Sequence, residues 1–187
     1  MRRRAVLALA AAVLAAGCGS PAPQEAPVAA VAGPHNETDV MFLQMVLDHH
    51  RQGAELVALA ADRGRRPEVR QLAARMKQQW ADESRTMTAW LQGWGAPLEA
   101  DQDAGVHAGH GDLHSLRPSD IEELKAAGEA DFDRTALSLL LGHLHNTVEV
   151  ARMESGKGAN ADAKALAGQI TTTRQEQVQQ MLKLLAS

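Results

Sequence analysis

The chain has 187 residues, 45% apolar but only 3% aromatic, with no tyrosine and with 19 Lys and Arg against 23 Asp and Glu. That length allows one ordinary domain with short appendages, and the acidic balance excludes nucleic acid as the organising partner. Few aromatic residues and no long β-rich run exclude a sheet-based core, so abundant Ala, Leu, Gln and Glu predict an all-α protein.

Residues 1–17 read as a leader. "MRRR" is a basic n-region, "AVLALAAAVLAA" an apolar h-region, and "LAAGC" ends in small residues before Cys18, the only cysteine. The pattern resembles a bacterial lipoprotein signal, in which the cysteine is lipid-modified and anchors the mature protein to the membrane. The apolar run is shorter than the roughly 20 residues that a spanning helix needs. The paired arginines also fit twin-arginine export. With Cys18 used for the anchor, no thiol remains for a disulfide or a thiolate metal site. Residues 18–38, rich in Pro, Ala and Gly, predict a flexible tether.

The folded domain is expected over 39–187. Its first hairpin, 39–95, predicts a helix from Asp39 to Asp62, a turn at Gly64, and a second helix opened by Pro67 and running to Trp94. The crossover 96–118 carries His107, His110 and His114, with Gly109 and Gly111 between them, and reads as flexible polar linker in preference to a mobile His cluster that captures copper or zinc weakly. The second hairpin, 119–187, begins with a short helix for which Ser119 and Glu122 offer a capping box. Helices over Asp131–Glu154 and Asn160–Leu185 then flank "SGKGAN".

The two halves are copies. A gapless shift of 94 positions lays Asp39 on Asp133, His49 on His143, Glu55 on Glu149, Gly64 on Gly158, Met87 on Met181 and Leu91 on Leu185. Two amphipathic hairpins of this kind bury their apolar faces against each other as a four-helix bundle.

The first helix carries "LDHHRQGAEL". At about 100° per residue from Phe42, Gln44, Asp48, Arg51, Glu55 and Asp62 share the solvent face. His49 falls near ~340° and His50 near ~80°, both within the apolar arc. In the second half His143 repeats His49, Leu144 replaces His50, and His145 falls on the solvent face. Buried imidazoles need partners. Glu83 stands on the apolar stripe Val69, Leu72, Met76, Trp80, Met87 and Leu91, so a contact from His49 or His50 to Glu83 is expected. Its counterpart Gln177 is neutral and a poor metal ligand.

The repeated hairpins, "LDHHRQGAEL", "EADFDRTALSLLLGHLHNTVEVA" and the trailing "ESRTM" and "QVQQM" resemble the family called domain of unknown function 305 from Asp39 to Leu185. The resemblance implies a ferritin-like helical bundle, export to the bacterial envelope and association with a metal, most often copper, with no established reaction. It implies His49, His50, Glu83, Met87, His143 and Met181 as the motif positions.

From the residues themselves two readings stand. Met41, Met45 and His49 follow at i, i+4 and i+8, with Met87 facing them. Thioether with imidazole suits Cu(I); imidazole with carboxylate suits Cu(II) or, less well here, zinc. Alternatively the methionines fill core gaps and the His–Glu pair is a satisfied buried hydrogen bond in a partner-binding helical module. A ferritin di-iron site is excluded, because no Glu-x-x-His occurs. No phosphate loop, nucleophile elbow or His-Glu-x-x-His marks an enzyme.

Overall fold

The computed structural model describes residues 31–100 and 116–187. The leader, Cys18 and the crossover histidines His107, His110 and His114 lie outside the described residues. Within them the chain forms five helices and no strand: α1 (Glu37–Arg63), α2 (Pro67–Gly93), α3 (Pro118–Ala126), α4 (Phe132–Lys157) and α5 (Ala161–Ala186). None of these helices is long and apolar enough to cross a membrane.

Local chemistry sets the helix ends. Asn36 and Asp39 form a reciprocal capping box: the Asn36 side chain accepts from the Asp39 amide at 3.1 Å, and the Asp39 carboxylate accepts from the Asn36 amide at 2.6 Å. α1 therefore starts at Glu37, two residues before the expected Asp39. A β-carbon at Gly64 would sit 2.7 Å from the Ala60 carbonyl oxygen, so glycine lets the chain leave α1 tightly. Pro67, whose missing amide costs nothing at a first helical position, opens α2.

The short helix expected after the crossover is present, but its Ser119–Glu122 capping box is not. Pro118 takes the first helical position, and Asp120 accepts from the Arg117 amide at 2.9 Å. Proline's fixed φ starts the helix two residues earlier than that box would and leaves Ser119 inside it.

Four long helices make the bundle, with α1 packed on α2, α4 on α5, and the two hairpins joined mainly along α1 and α4. α3 lies against α1 and α4. The sequence repeat becomes a structural reciprocity at both ends. Asp39 accepts from the amides of Ala159 and Asn160 at the α4–α5 turn, at 3.1 and 2.9 Å. Its copy Asp133 accepts from the amides of Arg65 and Arg66 at the α1–α2 turn, at 2.7 and 2.9 Å. Each hairpin thus holds the other's turn with a carboxylate, which satisfies amides that a helix start otherwise leaves open.

Residues 31–36, on the tether side of the expected boundary, also touch the bundle. The Asn160 side-chain amide donates to the carbonyls of Ala32 and Pro34, and His35 stacks on Trp94 with ring centroids 4.3 Å apart.

The interior is two apolar clusters. One contains Leu56, Leu72, Met76, Leu137, Leu140, Leu144 and Met181; the other contains Phe42, Leu43, Met45, Met87, Leu91 and Ile170. The buried polar residues His50, Glu83, His143, Thr147, Arg174 and Gln177 belong to neither.

Candidate functional site

The mid-bundle polar group draws on all four long helices. α1 contributes His49 and His50, α2 contributes Trp80, Glu83 and Ser84, α4 contributes His143 and Thr147, and α5 contributes Arg174 and Gln177. Two sub-sites meet there.

The first is a pair of imidazoles across the hairpin seam. His49 and His143 stack face to face with ring centroids 3.5 Å apart and planes 17° from parallel. His49 Nε2–H donates to the His143 carbonyl at 2.6 Å, and His143 Nε2–H donates to the His49 carbonyl at 3.0 Å. The equivalent residues of the two repeats therefore bond each other's backbone. With both protons on Nε2, each Nδ1 carries a lone pair. The Thr147 hydroxyl donates to Nδ1 of His49 at 2.9 Å. Nδ1 of His143 is buried and has no partner.

The rings approach this closely because α1 has a glycine there. A β-carbon at Gly53 would lie 2.3 Å from His143 Nε2 and 2.7 Å from the Trp80 ring. Burial and the neighbouring His143 hold His49 well below the ordinary histidine value. Burial likewise brings His143 down to about 4. Both rings are uncharged at neutral pH.

The second sub-site is an ion pair. His50 Nε2–H donates to Glu83 Oε2 at 3.1 Å, and the Ser84 hydroxyl donates to His50 Nδ1 at 3.0 Å. The same Glu83 oxygen accepts from Arg174 Nη2 at 2.5 Å. Arg174 is fully buried, its guanidinium 3.3 Å from His50 Nε2 and 5.7 Å from the centre of the Trp80 ring. Trp80 also stacks on His50, with centroids 5.1 Å apart. The other Glu83 oxygen accepts from Gln79, whose own carbonyl accepts from Gln177, both at 2.9 Å. Burial raises the Glu83 carboxyl, but His50 and Arg174 outweigh it and leave Glu83 below its ordinary value. The sub-site is a balanced pair, Arg174 positive and Glu83 negative.

Of the expected site residues, the structure brings His50 to Glu83 and stacks His49 on His143 instead of on the carboxylate. His145 is exposed, as its wheel position requires. The methionines are divided: Met45 and Met87 lie in one apolar cluster and Met181 in the other. Among the described residues no group of three or more His, Cys, Asp or Glu side chains is arranged to hold a metal ion.

Arg174 is the residue that sequence reasoning missed. Its signal was present, because Ala163, Ala167, Ile170, Arg174, Gln177 and Met181 recur at three- and four-residue spacing, with one charge on an otherwise uncharged stripe. The reading that singled out Glu83 on α2 identifies Arg174 on α5 when applied there.

An uncharged imidazole with a free, buried lone pair at His143 Nδ1, beside a second imidazole, is a donor type that copper or zinc accepts. His50 and Glu83 do not fit a metal ion as they stand, since Arg174 already neutralises the carboxylate.

The sequence matches the family described as Domain of unknown function (DUF305) over residues 39–185. The chain belongs to the DUF305 family. Solved DUF305 structures share its fold. A fragment from Deinococcus radiodurans is 23% identical with a TM-score of 0.71, covering 82% of this chain and 99% of its own. A Streptomyces coelicolor DUF305 protein is 23% identical with a TM-score of 0.73, covering 80% of this chain and 92% of its own. CopM in its Cu(I)-bound form is 20% identical with a TM-score of 0.63, covering 80% of this chain and 96% of its own. The Cu(II)-bound form of CopM aligns similarly, with a TM-score of 0.65. No functionally curated protein matches the sequence.

Proposed function

We propose that this DUF305 protein is an exported bundle, anchored in the bacterial envelope through lipid on Cys18, that binds or buffers copper as Cu(I) at the His49–His143 pair. The observation that carries this reading is His143 Nδ1, a buried lone pair without a hydrogen-bond partner, on a ring that burial keeps unprotonated. An unpartnered buried polar atom costs about 1–3 kcal/mol, and coordination of a metal would offset that cost.

His49 lies in ring contact with it, and a shared ion requires the Thr147 hydroxyl to turn away from His49 Nδ1 and the stacked rings to tilt until their in-plane lone pairs converge. Both donors are neutral imidazole nitrogens, a ligand type that copper accepts, and unprotonated rings bind it without releasing a proton. The copper-bound forms of a fold neighbour point the same way. The leader pattern and the secreted description of the Streptomyces coelicolor relative support export. No motif supports an enzymatic role.

Met45, Met87 and Met181 serve as core packing in this reading. His50 and Glu83 take the structural role of the alternative reading, because Arg174 and Ser84 complete their bonding without a metal.

Cu(I) titrated under reducing conditions into the wild type, His143→Ala and His145→Ala tests the assignment. His143→Ala is expected to lose more than the roughly 10–100-fold that loss of a ligand's supporting contact costs, with His145→Ala unchanged. Equal affinity in wild type and His143→Ala, or no binding by the wild type, rejects it.

A further inference from the structure

His50 Nε2 and Glu83 Oε2 stand 3.1 Å apart, on two different helices. Two donors of a tetrahedral zinc ion, each bonded at ~2.1 Å, lie roughly 3.4 Å from one another. The pair is therefore already close to the spacing of two metal ligands. An open groove of about 460 Å³ between α1 and α2 reaches it, lined by His50, Trp80 and Ser84 together with Lys77 and Arg51.

What fills the metal's position is a side chain. The Arg174 guanidinium bonds Glu83 Oε2 and lies within 3.3 Å of His50 Nε2. Its Nε–H has no partner, and its Nη1 reaches only Gln177 Oε1, at 3.5 Å. This guanidinium is thus held chiefly by Glu83, one of the two groups that would otherwise ligate an ion, and it lies against the other, His50.

We propose that Arg174 is a resident cation standing where a divalent metal would bridge His50 and Glu83, and that it excludes divalent metals such as zinc from the bundle centre. The physical reason is charge. With Arg174 in place the sub-site is neutral and its carboxylate is spent, so a divalent ion arriving there meets a guanidinium at contact distance in a poorly hydrated interior. Arginine cannot yield by deprotonation, because it keeps its charge even when buried. A displaced guanidinium would also have to find another anion, and Glu83 is the one it bonds.

The repeat locates the origin of this device. Arg174 occupies the position of Trp80 in the other half, and Gln177 that of Glu83, so each hairpin supplies one charge of the pair. The His49–His143 pair, made of neutral donors, is left as the site for a monovalent ion. The inference stands apart from the copper reading, since it concerns different ligands and a different metal.

Zinc binding to the full-length chain decides it, measured by competition with a chromophoric chelator for wild type, Arg174→Met and Arg174→Met/Glu83→Gln. Arg174→Met is expected to gain a bound zinc ion that the wild type lacks, and to melt at a higher temperature with zinc than without. The double variant, whose centre carries no charge, is expected to lose that gain, and subtraction against it removes any zinc held elsewhere on the chain. A folded Arg174→Met with the zinc stoichiometry and melting temperature of the wild type overturns the proposal. So does wild-type zinc binding that Glu83→Gln abolishes. If Arg174→Met folds only when zinc is added, the proposal is supported. If it does not fold with or without zinc, Arg174→His, which places a neutral third ligand at the same point, decides: a gain in zinc supports the proposal and none overturns it. Cu(I) titration of wild type and His143→Ala scores the copper reading separately.

Discussion

The two hairpins are copies by sequence, yet the contacts they make divide into two kinds. At two positions where both copies kept a polar residue, the bundle uses it reciprocally. His49 and His143 bond each other's carbonyls, and Asp39 and Asp133 each hold the opposite turn. Where the copies diverged, the two residues combine into something neither half has alone. Trp80 against Arg174 and Glu83 against Gln177 yield one buried ion pair, and Gly53 against Thr147 yields space for a ring on one side and a hydroxyl for it on the other. A repeat that stays symmetric at its ends can therefore turn its middle into an asymmetric, charge-specific centre without altering the frame.

The largest expected effect comes from breaking the divergent pair on one side only. Glu83→Ala leaves the Arg174 guanidinium buried without a counter-charge, which costs about 3–5 kcal/mol. Adding Arg174→Met should recover much of this, because a neutral interior is cheaper than half an ion pair. Urea unfolding of the single and double variants measures both. A double variant no more stable than Glu83→Ala would mean that the two charges do not depend on each other.

Next comes the seam between the repeats. Gly53→Ala drives a methyl group into the His143 ring and should cost about 1–3 kcal/mol by overpacking. Its repeat counterpart Thr147→Ala only removes one hydrogen bond to His49, worth about 1 kcal/mol. Equal losses in the two melting curves would show that the halves do not meet as tightly as the His49–His143 stack requires.

A third asymmetry is visible in pH. Glu154 is fully buried where the first half has Ala60, and its carboxyl oxygens make no well-directed hydrogen bond. Burial and the adjacent Asp39 carboxylate push it up to about 8 from the ordinary 4.5. Asp39 itself stays ionised, since the amides of Asn36, Asn160 and Ala159 overcome its burial. Across the interval from 4.5 to 8 the folded chain holds a proton that the unfolded chain has released. Stability therefore falls as pH rises through that window, by about 1.4 kcal/mol per pH unit from this group, and levels off above it. Glu154→Gln should remove that slope. Parallel stability–pH curves for wild type and variant would place Glu154 in water instead of in the interior.

Which parts of this were legible in the sequence follows from how local their causes are. Gly64, Pro67, Gly158 and the 94-residue repeat locate the long helices' ends to within about three residues, because turns and caps are decided by neighbours along the chain. The inward turn of His49 and His50 and the His50–Glu83 contact came from periodicity. The partner of His49 did not, because pairing across α1 and α4 depends on how two hairpins dock, and a helical wheel carries no such information. Arg174 escaped for a related reason. A buried arginine is explained only by its counter-charge, and that lies on the other hairpin. At α3 the Ser119–Glu122 pattern was outweighed by Pro118, whose preference for the first helical position set the start.

The two repeats meet at an uncharged imidazole pair, proposed above as the place where Cu(I) binds. X-ray absorption at the copper edge of the Cu(I)-loaded protein tests it most directly. The expected first shell is dominated by nitrogen, with the multiple-scattering signature of imidazole, and that signature is lost in His143→Ala. A first shell made of thioether sulfur alone would contradict it and return the His49–His143 stack to a purely structural role.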